Sequence, residues 1–77
     1  MKKSIIELLE NIKPGIDYMS ETDLVEHKIL ESLEILRLVS DLSDEFDIDI
    51  TLPYVKPANF KTVDAICNMV QTILDEE

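Results

Sequence analysis

Ser32, in the run Glu31-Ser32-Leu33-Glu34-Ile35-Leu36, is a nucleophilic hydroxyl placed where the hydropathy pattern changes. Before it, residues 20 to 30 mix polar and apolar types without a sustained helical period. After it, Ile35, Leu38, Val39, Leu42 and Phe46 recur at steps of three and four, the signature of a helix with one buried stripe. A group attached at such a helix start meets unpaired backbone N–H groups and the positive end of the helix dipole, which favours a phosphate. Plain capping accounts for the same residue, because serine is a preferred N-cap. The triplet Glu-Ser-Leu alone decides nothing.

Other chemistries fare less well. Asp47-x-Asp49-x-Thr51 resembles the opening of a calcium loop, but its sixth position is Leu52 instead of Gly and its twelfth is Ala58 instead of Glu. His27 is the only histidine and Cys67 the only cysteine. Pairing either with a serine would be arbitrary, and no catalytic acid–base set converges, so no metal site and no catalytic residue is assigned. A lone cysteine also rules out an intramolecular disulfide, and its spacing from Ile66 and Val70 suits a buried or half-buried thiol.

Three helical stretches must position Ser32. The first begins at Ser4, where Ser4-x-x-Glu7 has capping-box spacing, and carries Ile5, Leu8, Leu9 and Ile12 on one face. Lys13-Pro14-Gly15 ends it. A long connection to Glu31 is expected to anchor through Ile16, Tyr18, Met19, Leu24, Val25, Ile29 and Leu30. The second helix spans about Ser32 to Phe46. The last starts after Thr62 as N-cap and buries Val63, Ile66, Val70, Ile73 and Leu74. Residues 47 to 52 alternate like a strand but have no partner segment, so they read as an extended loop whose Ile48 and Ile50 plug the core. Pro57-Ala58-Asn59-Phe60 suits one short helical turn with Pro57 first. The expected fold is all-α: one domain, 1–77, built as a small bundle of three main helices and one short one. Phe46 is expected to be part of its buried face.

Charge restricts the partners. Seven Lys and Arg against seventeen Asp and Glu give a net charge of −10, which opposes binding to nucleic acid and adsorption to anionic lipid. The hydrophobic fraction of 45% is that of a folded domain. No segment is long and apolar enough to insert in a membrane. Met1-Lys2-Lys3 before Ser4-Ile5-Ile6 imitates a secretion signal, but Glu7 and Glu10 interrupt the apolar region and no small-residue cleavage site follows. The chain is read as cytoplasmic and monomeric.

The order of these features goes further than any one of them. Ile29-Leu30-Glu31-Ser32-Leu33 enters a helix, Leu38-Val39-x-x-Leu42 lies within it, and Glu45-Phe46-Asp47-Ile48-Asp49-Ile50 leaves it. Pro57-x-Asn59-Phe60 and Thr62-Val63-x-x-Ile66 follow at suitable distances. In this order the chain resembles the acyl carrier protein family, with its peptidyl and D-alanyl carrier relatives, over nearly its full length. The resemblance implies that Ser32 bears a covalent 4′-phosphopantetheine arm added by a phosphopantetheinyl transferase. It implies an acyl or aminoacyl thioester on that arm, a loading enzyme, downstream transferases, and no catalysis by the chain itself. A small acidic interaction module of the same fold, never modified at Ser32, is the alternative.

Several residues depart from the family's pattern. Glu31 stands where the family usually has Asp, and Lys28 lies near a position often held by glycine. Arg37, Lys56 and Lys61 occupy regions that are commonly acidic in fatty-acid carriers, and the Pro-x-Asn-Phe run looks closer to specialised or aminoacyl carriers. These features imply a carrier with dedicated partners. At about 100° per residue, Leu33 falls opposite the Leu42-centred core stripe, and Glu34, Arg37, Asp41 and Asp44 share its side. With Glu31 and Leu36 they form the expected recognition patch, where apolar contact holds a partner and carboxylates steer its basic surface.

Overall fold

The computed structural model describes residues 1–76. Helix α1 spans Lys2–Ile12, α2 spans Ser32–Phe46 and α3 spans Val63–Glu76, with short 3₁₀ turns at Leu52–Tyr54 and Pro57–Asn59 between α2 and α3. No strand occurs among the described residues, so the fold is all-helical. The second 3₁₀ turn is the expected one, with Pro57 in its first turn. The first was not anticipated; Pro53 fixes its backbone as Pro57 does the other.

α1 packs against both α2 and α3. It starts earlier than the Ser4 capping box predicts: Met1 is the N-cap, without a side-chain cap, and the Ile5 amide donates to the Met1 carbonyl at 3.1 Å. Ser4 therefore lies inside the helix. The far end stops as expected. Lys13 leaves the helix in an extended conformation, its amide still donating to Leu9 O at 2.8 Å, and Gly15 turns the chain at φ 85°, where a side chain would be strained.

The connection from Ile16 to Glu31 contains no helix, yet its apolar groups fix it to the bundle. Tyr18, Leu24 and Leu30 are buried, and Ile16, Val25 and Ile29 pack partly against them. The Tyr18 hydroxyl is shared between the carbonyls of Leu9 and Lys13, which ties the connection to the end of α1. The Leu24 amide donates to Lys61 O at 2.7 Å, fastening it to the start of the last helix. Met19 does not act as an anchor: it is 63% exposed, because Tyr18 takes the inward position beside it.

The core draws on all three α-helices. Ile5 and Leu9 of α1, Leu38 and Leu42 of α2, and Val63, Ile66, Met69, Val70 and Ile73 of α3 are buried together. Ile48 and Ile50 plug it from the loop, as expected. Fully burying each Leu or Ile contributes about 1.5–3 kcal/mol, so these positions carry most of the hydrophobic stabilisation. The aromatic at the centre is Phe60, which is fully buried, whereas Phe46 is only half-buried. Phe46 is the last residue of α2, where the helix gives way to the loop and cannot enclose a whole ring. Thr62 caps α3 as predicted, its hydroxyl oxygen accepting from the Ala65 amide at 3.0 Å.

α2 ends on Asp47 in the left-handed region at φ 51°. The Ile48 amide returns to Ser43 O at 3.1 Å, the long bond of a Schellman motif, and this carries Ile48 into the core.

Candidate functional site

Ser32 is the first helical residue of α2 and is exposed. It is not the N-cap. Glu31 holds that position with an extended backbone, φ −97° and ψ 173°. Its carbonyl receives the Ile35 amide at 2.9 Å, the first bond of the helix, so the Ser32 and Leu33 amides have no partner within it. One carboxylate oxygen of Glu34 accepts the Glu31 N–H at 3.0 Å, and the other lies 3.2 Å from the Lys13 ammonium at the end of α1. The amide of Glu31, and then Lys13, hold the Glu34 carboxyl below the usual glutamate range, although partial burial acts against them.

A concavity of about 290 Å³ opens beside Ser32, lined by Val25, Lys28, Leu30, Glu31, Ser32 and Ile35. Its floor is aliphatic and its rim holds one cation and one anion. Lys28 has φ 59°, a left-handed conformation that glycine adopts freely and lysine rarely does. Lys28 thus holds a backbone conformation that would suit a glycine. A larger hollow of about 520 Å³, between the 3₁₀ turns and α3, contains none of the expected site residues.

The outward face of α2 matches the helical-wheel expectation at most positions. Leu33 is 81% and Leu36 58% exposed, and Arg37 and Asp44 lie in solvent beside them. Leu33 does not fold under the preceding loop. Asp41 sits on the flank, half-buried, 3.8 Å from Arg37 in a loose ion pair one turn away. Glu31 borders the patch at its N-terminal end. Glu34 differs from the expectation, since its carboxylate turns toward α1 and is half-buried in the contacts just described. Sequence reasoning missed Lys13, whose role depends on the end of α1 lying beside the start of α2.

His27 is exposed and its Nδ1 lies 2.5 Å from Glu21 Oε1, on the turn that precedes Ser32. Cys67 is half-buried, and burial raises its thiol above the ordinary value, so it is no activated nucleophile. No group of three or more metal-ligating side chains occurs among the described residues, nor does any helix long and apolar enough to cross a membrane.

No family model and no solved structure matches the chain. A curated relative does: the probable acyl carrier protein PigG of Serratia sp. (strain ATCC 39006) is 36% identical over 67 residues, covering 87% of this chain and 75% of the relative.

Proposed function

This chain belongs to the acyl carrier protein family, and on that footing we propose that Ser32 carries a 4′-phosphopantetheine arm on which an acyl or aminoacyl group travels as a thioester. A member of this family acts as a carrier and not as an enzyme. The observation that carries the reading is the placement of Ser32: an exposed hydroxyl at the first residue of α2, beside an open concavity. The free amides of the first turn and the helix dipole favour the phosphodiester there.

In the modification, a phosphopantetheinyl transferase takes the Ser32 proton and the Oγ attacks the pyrophosphate of coenzyme A. An O–P bond forms as the bond to the departing nucleotide breaks. The arm then brings its sulfur to a loading enzyme and to downstream transferases. The chain raises the effective concentration of the bound intermediate at each partner. The arm supplies the reactive sulfur and the protein supplies orientation and recognition.

Partners dock on the outward face of α2, where Leu33 and Leu36 offer apolar contact and Glu31, Arg37, Asp41 and Asp44 set the electrostatic register. Glu34 borders this patch, but its carboxylate turns away toward α1. Two large exposed leucines beside the attachment residue do nothing for the core, and they fit a contact surface better than a structural one. Arg37, and Lys56 and Lys61 near the second 3₁₀ turn, favour dedicated partners over those of a general fatty-acid carrier.

The test is incubation with coenzyme A and a broad-specificity phosphopantetheinyl transferase, followed by intact mass. One phosphopantetheinyl group should add to the wild type and none to Ser32→Ala. A wild type left unmodified by several transferases, one from the source organism included, returns the chain to an unmodified interaction module. Addition at another serine overturns the site.

A further inference from the structure

Glu34 is the one charged residue of the expected patch with both carboxylate oxygens engaged inside the molecule: Oε1 on the Glu31 N–H at 3.0 Å and Oε2 on the Lys13 ammonium at 3.2 Å. Its side chain is 23% exposed, against 58% for Arg37 on the outward face. The amide it holds belongs to the residue immediately before Ser32. The ammonium it holds stands at the end of α1, where the Tyr18 hydroxyl is shared between the Leu9 and Lys13 carbonyls. A single carboxylate therefore links the backbone at the attachment serine to the C-terminal end of another helix.

We infer that Glu34 is a positioning residue for the modification of Ser32, acting through the Glu31 amide and Lys13 and not by touching the partner enzyme. The inference rests on Ser32 being the attachment site. The chemistry at Glu31 explains the need. Glutamate is not among the preferred N-caps, but the Glu31 carboxylate still meets the Glu34 amide, which is one half of a capping box. The reach of Glu34 back to the N-cap amide fixes the first turn from the other side. The link to Lys13 then keeps that carboxylate from swinging into water. With the turn fixed, the Ser32 Oγ is presented in one orientation, and orientation of a nucleophile acts on the rate of the bound complex more than on binding.

The experiment follows phosphopantetheinyl transfer from coenzyme A to the wild type, Glu34→Ala, Glu34→Gln and Lys13→Met, with kcat and KM separated and folding checked by chemical denaturation. Glutamine keeps an oxygen for the Glu31 amide but loses the ion pair; alanine loses both. Glu34→Ala should lower kcat by about tenfold, the rate equivalent of a lost helix cap, with little change in KM. Glu34→Gln should recover most of that loss, and Lys13→Met should fall between wild type and Glu34→Ala. Hydrogen exchange at the Glu31 amide should quicken in Glu34→Ala and stay slow in Glu34→Gln. The inference is overturned if Glu34→Gln loses as much kcat as Glu34→Ala, or if the loss lies in KM and disappears in high salt, which marks a charge read directly by the partner. It is also overturned if Glu34→Ala transfers at the wild-type rate. A wild type that takes up no arm defeats the Ser32 assignment instead, and the exchange measurement still reports whether Glu34 holds the amide.

Discussion

Four leucines on α2 have opposite fates. Leu38 and Leu42 are fully buried, while Leu33 and Leu36 are 81% and 58% exposed. Residue type, helix and helix propensity are the same, so the difference comes only from angular position about the axis. The inner pair lie in the core that α1, α3 and the connection also enter, and removing them leaves a cavity. The outer pair are in water, add little to stability, and lie on the same helix as Ser32. α2 therefore divides its work: one face holds the bundle together and the other is left for contact.

The strongest way to break this contrast is to truncate its inner side. Leu42→Ala should cost about 2–5 kcal/mol in chemical denaturation, a large share of the stability of so small a domain. A midpoint close to wild type would mean the inner face is not the core. The aromatic residues sharpen the same point. Phe60→Ala should cost about 3–5 kcal/mol and Phe46→Ala clearly less, because only the first ring is fully enclosed. Equal losses would contradict the partial exposure of Phe46.

On the outer side the expectation reverses. Leu33→Ala and Leu36→Ala should each leave stability within about 0.5 kcal/mol of wild type, as exposed substitutions do. Each should nevertheless reduce productive docking with a transferase or loading enzyme by several-fold, as the loss of a contact worth about 1 kcal/mol would. Asp41→Lys should weaken docking and flatten its salt dependence. If no cognate partner responds to any of the three, recognition lies on another surface.

The smallest expected effect is at the pair of His27 and Glu21, an exposed imidazole against a half-buried carboxylate. The hydrogen bond to Glu21 raises the His27 pKa, and the same bond to His27 lowers that of Glu21. The histidine's contribution is complete below its ordinary value and is lost as pH rises through its raised one. The glutamate's contribution is present above its ordinary value and fades as pH falls through its depressed one. The pair should thus help most between the ordinary values of 4.5 and 6.5. Denaturation midpoints of wild type and His27→Asn compared across pH should differ most in that interval and converge above it. A constant difference at every pH would show that the variant acts through the turn backbone and not through the charge.

The sequence alone determined most of what is local. The bounds of α2, the Thr62 cap, the Ile48 and Ile50 plugs and the Pro57 turn were all legible, because periodicity, capping and proline chemistry act over a few neighbouring residues, whereas the expected extended loop over 47–52 gives way to a 3₁₀ turn at Leu52. The outward placement of Leu33 followed from helical geometry alone. Tertiary structure decided which groups meet across the chain. Phe60 and not Phe46 fills the centre because the end of α2 leaves one ring partly open, and Met19 faces water because Tyr18 occupies the inward place. Glu34 leaves the outward patch because Lys13, distant in sequence, stands beside it. Lys28 takes a glycine-like conformation because the turn into Ser32 is fixed on both sides by the burial of Leu24 and Leu30. Burial and pairing of this kind depend on which elements pack together, and no short window of sequence contains that information.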